Sequence, residues 1–276
     1  MKTLLIPTDF SDNAFIASQY GAHLASKLGY KVLVYNAYIV LYAGFEEKGA
    51  SVQQIEWADE EATKGMKSWI EKLKSYYPNL EIEGKCERGF LVDAIKDELK
   101  EDSSIIGVVM GSKGATNLSE TLFGSTTYAV IKNSDIPVLV VPSNTPDFKL
   151  EKAGYFTGLN DHDATALNTM NDFLALDSEK LFIHLSSQSK EELRVDLQDW
   201  KTKLGELDYV KTADVQVVNS DRSWLSINTI ATGMDLDLLV FSRPQKPFFK
   251  QLFHRSLTKE ISNHPILPTL IIPVKD

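Results

Sequence analysis

The sequence predicts an α/β protein built as two similar units in tandem, each a five-stranded, mostly parallel sheet with helices on both faces. Three observations lead there. Short apolar runs alternate with segments of helical period along the whole chain, the pattern of parallel strands joined by helical crossovers. The order of these segments in residues 1–142 recurs after a polar, proline-containing stretch, Ser143-Asn144-Thr145-Pro146-Asp147. The length of 276 residues suits two domains at roughly 100–200 residues each. The expected division is 1–146 and 147–276.

In the first unit, Leu4, Leu5 and Ile6 form a buried strand that stops at Pro7. Residues 12–28 bring Ala14, Ala17, Ser18, Gly21, Leu24, Ala25 and Leu28 onto one helical stripe. Ser11 or Asp12 can cap that helix at its start and Gly29 at its end. A strand is expected over 31–38. A helix follows over 57–77, with Ala58, Ala62, Met66, Trp69, Leu73 and Tyr76 on one side. Then come a strand over 80–86, a helix over 90–99, an apolar strand over 105–110, a helix over 125–133 and a last strand over 138–141 between two prolines. The second unit repeats the order: strands over 155–159, 180–185, 215–218, 236–241 and 269–272, with helices over 164–174, 191–204, 223–232 and 256–262. The halves match best at their ends. Leu122-Phe123-Gly124-Ser125 with Ile136-Pro137-Val138-Leu139-Val140-Val141-Pro142 parallels Leu252-Phe253-His254-Arg255 with Leu267-Pro268-Thr269-Leu270-Ile271-Ile272-Pro273.

Composition narrows the function. The apolar fraction of 43% and charged fraction of 24% are those of a soluble globular chain. A net charge of −9 repels a polyanion, so nucleic acid is not expected as a partner, although Lys246, Lys250, His254 and Arg255 could meet one phosphate group. The single cysteine, Cys86, allows no disulfide within the chain and supports no zinc site. No apolar run approaches the roughly 18–20 residues that span a bilayer, and the run before Pro7 is too short for a signal-peptide core. The expectation is a cytoplasmic protein with no membrane partner.

Of the 15 glycines, all but Gly154, Gly158, Gly205 and Gly233 precede the linker. Glycine is costly in regular structure and is retained where backbone turns sharply or touches a ligand, so a backbone-based function belongs to the first unit. The chemistry concentrates in the stretch from Met110 to Thr126, which reads G-x2-G-x9-G-S from Gly111 through Gly114 to Gly124-Ser125. It follows the fourth strand and opens a helix. Ligands of parallel sheets bind beyond the carboxyl ends of the strands. Gly111 and Gly114 leave room for a sugar or phosphate. Gly124, Ser125 and Thr126 begin a helix whose free amides and dipole favour a phosphate, and Lys113 could add charge. Pro7, Thr8 and Asp9 end the first strand on the same edge, where Asp9 could accept a hydrogen bond from a ribose hydroxyl or an adenine amine.

These motifs resemble the ATP-binding branch of the universal stress protein family. That branch carries an acid after its first strand and G-x2-G-x9-G-[ST] after its fourth, and both stand here without a break. The resemblance spans the chain as a tandem arrangement, strongly over 1–142 and weakly beyond. It implies two Rossmann-like, adenine nucleotide alpha hydrolase-like domains whose fifth strands pair as an intramolecular pseudo-dimer, with a homodimer as a further allowed assembly. It implies a stress-response protein that binds ATP as a regulatory ligand. Adenine would lie near Pro7, Thr8, Asp9 and Ala37, ribose near Met110 and Gly111, and the phosphates on Gly114, Gly124, Ser125 and Thr126. A Mg2+ ion, if bound, would ride on the phosphates, and no dedicated metal site is expected.

The second unit departs from this pattern. Thr157-Gly158-Leu159 stands opposite Pro7-Thr8-Asp9, so the acid is lost. The stretch from Phe241 to Phe249 has no glycine, and His254-Arg255 replaces Gly124-Ser125. This unit is therefore expected to be a structural partner without an ATP site. The sequence offers no GxxxxGK[ST] loop and no G-x-S-x-G elbow. Asn160-Asp161-His162-Asp163 reads as a helix cap rather than a metal site, Glu87-Arg88-Gly89 as a turn with a surface pair, and Cys86 as a packed thiol. His23, His184 and His264 read as satisfying local hydrogen bonds, and Phe248, Phe249 and Phe253 as an internal contact. A response-regulator receiver would need an acid where Cys86 ends the third strand. No assembled general base is evident, so catalysis is not expected beyond very slow ATP hydrolysis. The alternatives are a slow ATPase or nucleotidyl-transfer enzyme on the same site, or a scaffold that binds no nucleotide.

Overall fold

The computed structural model describes residues 1–40, 52–112, 124–145, 148–175, 177–205, 207, 210, 214–220, 223–243 and 267–274. The first half runs β1 (Thr3–Pro7), α1 (Asp12–Leu28), β2 (Lys31–Tyr38), α2 (Val52–Tyr76), β3 (Ile82–Arg88), α3 (Leu91–Glu101), β4 (Ile105–Gly111), α4 (Ser125–Asn133) and β5 (Val138–Val141). The second runs β6 (Lys152–Phe156), α5 (Asp163–Met170) with a 3-10 turn at Asn171–Phe173, β7 (Glu179–Leu185), α6 (Arg194–Lys203), β8 (Val215–Val218), α7 (Trp224–Gly233), β9 (Leu238–Arg243) and β10 (Thr269–Pro273). The helix expected over 256–262, with the basic and phenylalanine clusters between 246 and 255, lies outside the described residues.

All the described strands join one ten-stranded sheet in the order β3-β2-β1-β4-β5-β10-β9-β6-β7-β8. Each half has its first strand in the middle, its second and third on one side and its fourth and fifth on the other. Pairing is parallel within each half. The halves meet where β5 and β10 pair antiparallel, Leu139 opposite Leu270 and Val138 opposite Ile271. These two apolar strands would otherwise be bare edges open to any other strand.

Strand residues alternate between two cores because successive side chains point to opposite faces. Leu4 and Ile6 join the core under α1, α2, α5 and α6, whereas Leu5 joins the core under α3, α4 and α7. The apolar stripe expected on α1 is buried, Ser11 caps the helix by accepting the Ala14 amide, and Gly29 ends it in the left-handed conformation at φ 70°. Contacts between the halves extend beyond β5 and β10. The Phe173 ring occupies the space that a Cβ at Gly107 of β4 would need. Lys2 pairs with Asp172 at 2.6 Å. Beyond the linker, Phe148 packs on Tyr20 and His23 of α1, with ring centroids 4.6 and 3.9 Å away.

Several boundaries differ from the sequence reading. β6 starts at Lys152 and ends at Phe156, three residues earlier than expected at both ends. Its start is fixed by Asp237, whose carboxylate accepts the Glu151 and Lys152 amides. Its end is fixed by a turn in which Leu159 takes a φ of 57°. β3 extends through Arg88, so Glu87 and Arg88 are strand residues rather than a turn. They do not form the expected pair: Glu87 accepts from the Tyr35 hydroxyl at 3.1 Å, and Arg88 lies 3.5 Å from Asp59. Tyr76, assigned to the buried side of α2, is 58% exposed.

Candidate functional site

The strand order reverses between β1 and β4, and at such a switch point the crossovers leave on opposite faces and open a crevice. A cleft of about 470 Å³ lies there, beyond the carboxyl ends of β1, β2 and β4. Its lining includes eight of the residues singled out from sequence: Pro7, Thr8, Asp9, Ala37, Met110, Gly111, Ser125 and Thr126. They come from four segments spread over almost 120 residues of chain. Gly124 is the residue just before α4, and its amide donates to Ser112 O at 2.8 Å. Lys113 and Gly114 lie outside the described residues.

Each part of the edge is held by identifiable bonds. The Thr8 amide extends the sheet by donating to Tyr35 O, and the Asn36 amide group donates back to Thr8 O at 2.7 Å. The Thr8 hydroxyl accepts the Phe10 amide, which holds Phe10 at a φ of 60° and turns the chain from β1 toward α1. Asp9 is exposed on this turn, where its carboxylate accepts from the Ser11 amide at 3.1 Å and the Ser11 hydroxyl at 2.5 Å. Across the cleft, the Thr127 hydroxyl donates to Gly111 O and ties the first turn of α4 to the end of β4. The first amides of α4 have no partner within the helix, and no acidic residue stands in its first turn. The first turn of α4 therefore opens positive potential on the cleft with no acid of its own. Gly124 has φ −59° and ψ 158°, extended backbone open to any residue. A side chain placed there would act by its volume and not through backbone strain.

The other wall was not legible from motifs. Ile39, Gly89, Phe90, Leu91 and Val92 line it, and Ala14 and Ala129 complete the cleft. Ile39 and Phe90 are 51% and 68% exposed, so two large apolar side chains face an open crevice at the cost of contact with water. Gly89 links β3 to α3 at φ 145°, a conformation that an L side chain rarely adopts. A glycine between a strand and a helix was the available signal, hidden because Glu87-Arg88-Gly89 read as an ordinary turn.

The second half shows how the same framework is filled. The Thr157 amide donates to Ile183 O as Thr8 does to Tyr35 O, and the Leu159 amide donates to the Thr157 hydroxyl as Phe10 does to Thr8. Phe156-Thr157-Gly158 therefore matches Pro7-Thr8-Asp9, one residue earlier than the sequence suggested, and Gly158 takes the place of Asp9. Where the first half has Pro7, Ala37, Met110 and Leu91 around its cleft, the second has Phe156, Leu185, Phe241 and Trp224. All four are buried. Phe156 and Phe241 stack at 5.0 Å, and Trp224 lies 6.3 Å from Phe241. Bulky side chains thus occupy the counterpart of the cleft. Below them Asp163 is fully buried and accepts from Tyr155 at 2.6 Å, Thr157 at 2.5 Å, Trp200 at 2.7 Å and the Asn160 amide at 3.2 Å. Its carboxylate holds the Asn160 amide of the turn before α5, but His162, the residue that precedes the helix, makes no side-chain cap bond, so the cap expected of this stretch is not formed.

Remaining candidates resolve as structural. The Cys86 thiol donates to Ala62 O at 3.4 Å, and burial raises its pKa, which disfavours the thiolate. His184 bonds Thr157 O at 3.0 Å, in the place of Asn36. His23 instead packs against rings, and His264 lies outside the described residues. Among the described residues no cluster of three His, Cys, Asp or Glu side chains could hold a metal, and no helix is long and apolar enough to cross a membrane.

Known proteins resemble this chain in sequence over about half of its length and in fold over its whole length. Two proteins of Methanocaldococcus jannaschii, universal stress proteins MJ0577 and MJ0531, are 31% and 30% identical to this chain over 154 and 143 residues. Each alignment covers 51% of this chain, and 94% and 81% of the respective relative. The crystal structure of a universal stress protein from Archaeoglobus fulgidus DSM 4304 matches with a TM-score of 0.69, covering 98% of both chains at 15% identity, so the fold is shared end to end. The model of the universal stress protein family matches residues 1–142, the half that holds the open cleft, and the chain belongs to that family.

Proposed function

We propose that the cleft binds one adenine nucleotide, ATP, and that the protein acts as a cytoplasmic, nucleotide-dependent stress-response regulator rather than a catalyst. The observation that carries this reading is the union in one crevice of an apolar slot with a helix N-terminus that has no acid in its first turn. Ala37, Ile39, Met110, Phe90 and Leu91 offer a flat base an apolar environment. Asp9 is the acceptor for a ribose hydroxyl or the adenine amine, exchanging its bond to Ser11 for one to the ligand. Ser125 and Thr126 supply amides and hydroxyls to the phosphates, with Lys113 and Gly114 completing that end in sequence. A Mg2+ ion would be held by the phosphates, because Asp9 is the one carboxylate among the described residues of the lining. The second half, residues 147–276, serves as a structural partner in a pseudo-dimer, its counterpart crevice packed with aromatic rings.

The test copies into the first half what the second carries in sequence, Gly124→His with Ser125→Arg, beside Gly124→Val as an uncharged block. Titration calorimetry should show ATP affinity falling at least about a hundredfold, which requires only roughly 2.7 kcal/mol. Both variants should keep their fold, since the Gly124 backbone accepts a side chain. Two folded variants that bind ATP as tightly as the parent would remove α4 from the site. Rapid phosphate release by the parent, approaching the roughly 1–10³ s⁻¹ of enzymes, would place the protein among catalysts instead.

A further inference from the structure

Arg243 ends β9 in the second half, yet its guanidinium bonds to the first. Nη2 donates to Ser134 O at 2.6 Å and Nη1 to Lys132 O at 3.4 Å. Those carbonyls belong to the last turn and C-cap of α4, where helix carbonyls lack intrahelical partners and the dipole is negative. The Arg243 backbone is fixed in turn, because its carbonyl accepts the Val274 amide and the residue stands opposite Pro273 of β10. Burial lowers the pKa of the guanidinium, and the Asp135 carboxylate opposes that shift. α4 has nine residues and so is about 13 Å long. One end is held by a cation from the second half, and the other presents Ser125 and Thr126 to the cleft.

We propose that Arg243 is a positioning residue for the phosphate end of the cleft, and that through it the packing of the second half is coupled to nucleotide binding in the first. The proposal rests on the nucleotide reading given above. Its physical content is that α4 is a short rigid lever. Displacing its C-terminal carbonyls by a fraction of an ångström moves the first-turn amides by a similar distance, and hydrogen bonds to phosphate are sensitive to such shifts. Coupling is reciprocal, so bound ATP should tighten the contact between the halves as much as that contact tightens ATP.

The experiment compares ATP with adenosine on the full chain, parent against Arg243→Ala and Arg243→Lys. Adenosine uses the apolar slot and Asp9 but not α4. In Arg243→Ala, ATP affinity should fall about fivefold or more while adenosine affinity stays within about twofold. Arg243→Lys, which restores one donor and the charge, should recover part of the loss. Equal loss for both ligands would mean that Arg243 supports the fold in general, and unchanged affinity for both would mean that it positions nothing; either overturns the proposal. If the parent binds neither ligand, the nucleotide reading fails and the positioning claim is decided separately by hydrogen exchange in the ligand-free chain. Arg243→Ala should then speed exchange of the amides of α4 but not of α3, and unchanged exchange in α4 overturns it.

Discussion

Asp163 shows how one residue can hold a half together without taking part in function. Four donors from β6, the following turn and α6 converge on its buried carboxylate. Asp163→Ala would remove an acceptor from the buried Tyr155, Thr157 and Trp200 donors, and a buried polar group that loses its partner costs about 1–3 kcal/mol. Urea unfolding should therefore report a loss of about 3 kcal/mol or more, with ATP affinity of the remaining folded protein unchanged. A loss below about 1 kcal/mol would show that water replaces the carboxylate. The sequence made Asp163 legible only as part of a capping stretch. Its burial depends on Tyr155 and Trp200, which lie 8 and 37 residues away and meet only in the fold. Asp9, Gly111 and Ser125 were legible because each stands in a motif of fixed local spacing. Phe90 and Ile39 were not, since an exposed aromatic at a helix start and an aliphatic after a strand have no pattern of their own.

At the scale of elements, helix and strand order followed directly from hydrophobic period, and the errors fall where local pattern gives way to pairing. β6 was placed late because Tyr155 and Phe156 are its most apolar residues, whereas its start is fixed by the distant Asp237. α4 shows the tension between a stable helix and a useful one. Most helices favour an acid in the first turn, and α4 has none. Thr126→Asp should complement the dipole and stabilise the protein by about 0.3–1 kcal/mol in thermal unfolding. The same carboxylate would face the phosphates, so ATP affinity should fall by about tenfold or more. A rise in stability with no fall in affinity would place the phosphates elsewhere.

For the whole molecule, the two halves share one plan of strands, and their difference lies in what fills the crevice above it. Where the first half has Pro7, Ala37, Met110 and Leu91 around open space, the second packs Phe156, Leu185, Phe241 and Trp224 at the matching positions. The join is as definite as the crevice. β5 and β10 cover one another, so residues 1–146 alone should present β5 as a bare apolar edge and dimerise or aggregate. Analytical ultracentrifugation showing a monodisperse monomer at high concentration would mean that β5 needs no cover. The asymmetry between one open and one filled crevice is the centre of this account, and the stoichiometry of ATP binding measures it most directly. Calorimetric titration of the full chain should give one site per chain, with adenine nucleotides preferred over guanine nucleotides. Two equal sites, or none, would contradict it.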